Sequence, residues 1–89
     1  MPARVEEVLL SHPDVAEAAV VGVPDPEWGQ KVKAFIISKR ADLDDRELDP
    51  FMKESALADY QRPRIYEFVE ALPRTATGKI NRKELRQGE

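Results

Sequence analysis

The run VAEAAVVGV, Val15–Val23, constrains this chain more than any other stretch. It is nearly continuous in apolar character and rich in β-branched residues, so it reads as a buried strand. The Pro24-Asp25-Pro26 cluster is expected to break it into a loop. Lys31–Lys39 reads as a second strand by alternation. Val32, Ala34 and Ile36 face one way, and Lys31, Lys33, Phe35, Ile37 and Lys39 the other. A short loop between the two runs predicts an antiparallel pair.

Helical signals flank these strands. Pro2 suits a first helical turn, Val5, Val8 and Leu9 share a face, and Pro13 stops the pattern. Asp44 with Glu47 has the form of a capping box opening a helix that buries Leu48, Phe51 and Met52. Pro50 is expected to kink that helix or restart it with Asp49 as N-cap. Ile65–Val69 reads as a third strand, and Asn81 as the N-cap of a last short helix with Glu84 at its third position. Together these predict one α+β domain, a small three-stranded sheet covered by helices.

A chain of 89 residues buries one modest core and has little room for a deep pocket plus a full catalytic apparatus. It is expected to be part of something larger, with Met1 a fragment start. The absence of cysteine excludes disulfides, thiolate metal sites and cysteine nucleophiles. No apolar run approaches the ~20 residues of a membrane helix. The first residues lack a signal peptide's pattern, and a cytoplasmic setting is expected. Residues 1–61 carry seven Lys and Arg against thirteen Asp and Glu, and residues 62–89 seven against four. That basic end is either a solvated tail or a face meeting an anion or an acidic partner.

Between the third strand and the last helix lies Leu72-Pro73-Arg74-Thr75-Ala76-Thr77-Gly78-Lys79-Ile80. Few of its side chains are core-forming, and a strand and a capped helix hold its ends, the usual setting of functional loops. Gly78 permits backbone angles closed to other residues, and Lys79 can project from the tip as a compact cation. A phosphate-cradling P-loop needs Gly where Pro73 stands and Ser or Thr where Ile80 stands, so that motif is rejected. Taken alone, Thr75, Thr77 and Gly78 are turn residues and Lys79 a surface lysine.

The surrounding strings change that reading. VEEVLLSHPDVAEAAVVGVPDPEWGQKVKAFIISK and ALPRTATGKINRKELR resemble the C-terminal domain of adenylate-forming enzymes: acyl- and aryl-CoA synthetases, luciferases and peptide-synthetase adenylation domains. The resemblance covers essentially the whole chain, and ESALADYQRPRIYEF looks most like the CoA ligases. It implies a lid domain working with an absent N-terminal domain that binds ATP, Mg²⁺ and a carboxylic acid. Lys79 matches the family's adenylation lysine, with Arg74, Thr75, Thr77 and Gly78 as its supporting loop. Arg74 is expected to be a solvated loop residue rather than a phosphate contact. Trp28, Tyr60 and Arg62 match positions that hold the CoA nucleotide in some aryl-CoA ligases. The alternative has Trp28 capping the sheet edge and Tyr60 in the core. Reversible acylation of Lys79, by a lysine acetyltransferase and a deacetylase, is also implied.

Two further readings stand beside this one: a lid that loads a carrier protein, and a binding module using the basic 62–86 segment on nucleic acid. The second is disfavoured, because core packing explains at least one of Tyr66 and Phe68. His12 is expected to pack at a helix end. Glu6, Glu7 and the acids of 42–47 read as a solvated face and a helix cap, without metal-ligand spacing.

Overall fold

A computed structural model describes residues 2–88 of the chain; Met1, read above as a fragment start, lies outside the described residues. Helix α1 spans Pro2–Leu10, strands β1 and β2 span Val15–Asp25 and Gly29–Ser38, and helix α2 spans Asp45–Lys53. A single 3₁₀ turn at Asp59–Gln61, strand β3 at Ile65–Phe68 and helix α3 at Arg82–Gln87 complete the order. The sheet runs β1-β2-β3. The first pair is antiparallel, as expected, and the second is parallel, which requires the long crossover through α2. This is the expected α+β domain.

Both faces of β1 are covered, as its continuous apolar character demands. Ala18 and Val20 point into a core completed by Val5 and Leu9 of α1, Ile36 of β2, and Leu48 and Met52 of α2. Ala19, Val21 and Val23 point the other way, onto Phe35, Leu72, Ile80 and Leu85. Val15 joins the first core although simple alternation would send it to the second. An irregular register between Val15 and Glu17, with Ala16 as the extra residue, resets the faces.

Several boundaries differ from the sequence reading. Pro24 and Asp25 do not leave the strand but pair with Gln30 and Gly29. Because β1 lies at the sheet edge, a missing N–H there breaks no ladder, and the turn tightens to Pro26–Trp28. Pro50 neither breaks nor restarts α2. The bond it forgoes is to the carbonyl of Arg46, in a first turn that is exposed and open to solvent. Asp44 is the N-cap, its carboxylate accepting from Arg46 N at 3.1 Å, but Glu47 turns to Arg40 instead of closing the box.

Candidate active site: a braced lysine hairpin

The stretch after β3 is a tight hairpin. Arg74 and Ile80 form an antiparallel bridge, Asn81 N donates to Pro73 O at 2.8 Å, and Thr75 N donates to Lys79 O at 2.7 Å. Gly78 N donates to Thr75 O at 2.9 Å, closing a four-residue turn. Gly78 has φ of +89°, the left-handed angle that lets such a turn rejoin its strand through a one-residue bulge. The Thr75 and Thr77 hydroxyls lie 3.0 Å apart across the turn. Lys79 follows the glycine and is exposed, and its ammonium has no hydrogen bond or ion pair among the described residues.

The hairpin does not hang free. Arg74 donates to Gly78 O at 3.1 Å and also pairs with Glu17 near the start of β1. Arg74 is therefore a brace rather than the solvated loop residue expected from sequence. Its guanidinium holds the hairpin to the sheet and fixes the peptide that precedes Lys79.

The other candidate residues sit elsewhere. Trp28, in the β1–β2 turn, is 57% exposed. The Arg64 guanidinium lies over its ring, 4.9 Å from the centroid, a favourable cation–π distance. Asp25, Glu27 and Lys31 join these two around a cleft of about 270 Å³. Tyr60 is 75% exposed, which overturns the core alternative for it. Arg62 is buried, with Nη2 on Asp59 at 2.9 Å and Nη1 without a partner among the described residues. An unsatisfied buried guanidinium nitrogen is costly, and Arg62 does not line the Trp28 cleft. Arg64 was missed in the sequence, where only its spacing from Arg62 hinted at a shared surface.

These two groups lie toward opposite ends of β1. The hairpin is tied to Glu17 and Trp28 follows Asp25, roughly 25 Å further along at the ordinary rise of a strand.

Two other sequence readings are resolved. His12 packs at the end of α1, edge-on to Phe51 with ring centroids 4.8 Å apart, its Nδ1 accepting from Asp14 N at 3.0 Å. The donor atoms of His12, Asp14 and Glu47 lie within 4.8 Å of one another. Arg40 already occupies that space, reaching Asp14 at 3.2 Å and Glu47 at 2.5 Å, so the cluster does not fit Mg²⁺. Glu6 is not part of a solvated face. It is buried, accepting from Val20 N at 2.7 Å and from Arg82 of α3.

The described residues thus form a small α+β domain with a lysine, unpaired among them, on a braced hairpin and a separate basic, aromatic surface. Residues 4–79 match the AMP-binding enzyme C-terminal domain, and the chain belongs to that family. It is 50% identical over 91 residues to 4-hydroxybutyrate--CoA ligase 1 of Metallosphaera sedula, covering 99% of this chain and 16% of that protein. It is 52% identical over 94 residues to the human mitochondrial acyl-coenzyme A synthetase ACSM1, again covering 99% and 16%. Among solved structures, the o-succinylbenzoate CoA synthetase of Bacillus subtilis superposes with a TM-score of 0.90 at 41% identity, covering 99% of this chain and 18% of that one. The chain thus spans about a sixth of the length of the curated relatives it matches. None of the helices among the described residues is long and apolar enough to cross a membrane.

Proposed function

We propose that this chain is the C-terminal lid of an AMP-forming acyl- or aryl-CoA ligase. A larger N-terminal domain would bind ATP, Mg²⁺ and the carboxylic acid. The acid's carboxylate attacks the α-phosphate and pyrophosphate leaves; the CoA thiol then attacks the acyl carbon and AMP leaves. The observation that carries the reading is the unpaired Lys79 ammonium on its braced hairpin. Two anionic groups must meet in the first step, and a positioned ammonium donating to both offsets the crowded charge. The exposed amine is also open to an acetyltransferase and a deacetylase, and acetylation would remove the charge the step needs.

CoA, when bound, supplies the thiol. Trp28 offers a face for its adenine, and Arg64 offers donors for its phosphates, with the buried Arg62 lying beside them in the chain. A carrier protein's phosphopantetheine has no adenine to stack, so the exposed Trp28 favours free CoA as acceptor. A lid that turns between half-reactions fits this chemistry, since the lysine must leave the acyl group before the CoA thiol can reach it. A cytoplasmic setting belongs to the same proposal.

The test is made on the intact parent enzyme. Acid-dependent exchange of labelled pyrophosphate into ATP should vanish in Lys79→Gln, while Trp28→Ala should leave exchange intact and raise the KM for CoA. Exchange that survives Lys79→Gln, or turnover with a carrier protein alone, rejects the reading.

A further inference from the structure

The hairpin that carries Lys79 has a second anchor, three positions beyond the lysine. Arg82, the first residue of α3, forks onto the carboxylate of Glu6. Its Nε reaches Oε2 at 3.1 Å, and its Nη2 reaches Oε1 at 2.5 Å and Oε2 at 2.7 Å. Glu6 belongs to α1, on the opposite face of the sheet from α3, and is only 8% exposed. Its Oε2 also accepts from Val20 N at 2.7 Å. β1 is the edge strand, so alternate N–H groups point away from β2. The Glu6 carboxylate takes one of these, and Arg82 then closes over the carboxylate. One buried anion thereby ties helix, strand edge and the exit of the hairpin together, wrapping around the edge of the sheet.

Backbone bonds join the hairpin's C-terminal arm to its other arm, but few contacts fix it to the rest of the domain. Ile80 and Leu85 pack only partly buried on the second core, and the described part of α3 is a helix of six residues. Non-directional apolar contact of that kind tolerates sliding, whereas a bidentate guanidinium–carboxylate pair sets both distance and angle. On the other side of the turn Arg74 performs the matching task through Glu17 and the Gly78 carbonyl.

We infer that Glu6 and Arg82 are positioning residues for Lys79. They set where its ammonium stands when the lid is closed, and act on the acid-activating step through that lysine alone. The inference rests on the lid reading above. A misplacement of about 1 Å in a reacting group can cost a hundredfold in rate, and Arg82 lies close enough to Lys79 in the chain to impose one.

The test uses the intact parent enzyme and a double-mutant cycle. Arg82→Gln should slow pyrophosphate release roughly ten- to a hundredfold, with thioester formation from supplied acyl-adenylate unchanged. Arg82→Lys, which keeps a positive partner for Glu6 but loses the fork, should recover part of the rate. In a Lys79→Ala background, Arg82→Gln should have no further effect, because the group it positions is gone. An undiminished loss in that background would make Arg82 merely structural and overturn the inference, as would a neutral Arg82→Gln in an enzyme that Lys79→Ala disables. Should Arg82→Gln prove insoluble, the same cycle run with Arg82→Lys decides. A Lys79→Ala enzyme that releases pyrophosphate normally would instead reject the lid reading itself.

Discussion

At position 79 one ammonium stays outside the ion pairs that surround it. Arg74 is held by Glu17 and Arg82 by Glu6, so these two neighbouring cations serve as braces while the Lys79 ammonium stays unpaired among the described residues. Gly78 sets the direction in which that charge points. A Cβ at Gly78 would meet no atom within 4 Å, so the penalty of a substitution there is conformational. Gly78→Ala should therefore cost about 1–2 kcal/mol of stability, read by urea denaturation, and should slow acid activation more than thioester formation. Tyr66 makes a separate prediction. Burial, and then the Asp49 carboxylate at 3.3 Å, push its phenol well above the ordinary tyrosine range. A raised pKa in the fold means that the neutral phenol is favoured there. That stabilisation is complete below about pH 10 and is lost as the pH rises through the higher folded value. Urea midpoints should fall less steeply above pH 10 in Tyr66→Phe than in the unmodified chain. An unchanged slope would show that the phenol is not held neutral. At this scale residue type alone made Lys79 a surface lysine and Gly78 a turn residue. The resemblance of the surrounding strings singled out Lys79 and Trp28 as candidates, and the structure places both at exposed positions. The sequence hid Glu6 and Arg74, whose roles depend on partners 76 and 57 positions away.

The elements owe their order to local signals and their ends to tertiary contacts. Val15–Val23 and the alternation of Lys31–Lys39 were legible as strands because periodicity reports burial directly. Strand ends were not, since an edge position lets Pro24 remain in β1. The restart expected at Pro50 does not occur: one helix capped by Asp44 runs through it, with Leu48 and Met52 buried on one face. The short α3 depends on its cap, with the Asn81 side chain accepting from Glu84 N at 3.1 Å. Asn81→Ala should cost about 1 kcal/mol, measured by denaturant midpoint, and Asn81→Asp or Asn81→Ser should restore most of it. A neutral Asn81→Ala would mean that the Arg82–Glu6 pair alone holds this helix in place.

Taken whole, the molecule is a sheet with two small cores and a candidate site toward each end. Ile36 lies fully buried at the centre of the first core, and Ile36→Ala should cost about 2–5 kcal/mol, enough to threaten a domain of this size. The layered fold was legible from the two-faced burial of β1, whereas the parallel β2–β3 pairing was not, because no local signal encodes a crossover's direction. Nor could spacing alone reveal that the lysine hairpin and the Trp28–Arg64 surface lie toward opposite ends of one strand. The proposed two lid orientations follow instead from the chemistry, in which lysine and thiol act on one acyl group in turn, and this makes the half-reactions separable. Single-turnover measurement of both steps in the intact parent enzyme carrying Lys79→Ala is the decisive experiment. Pyrophosphate release should fall about 10²–10³-fold, while CoA thioester formation from supplied acyl-adenylate proceeds at nearly the unmodified rate. Equal loss of both steps, or acid activation at full speed without the amine, would contradict the assignment of Lys79.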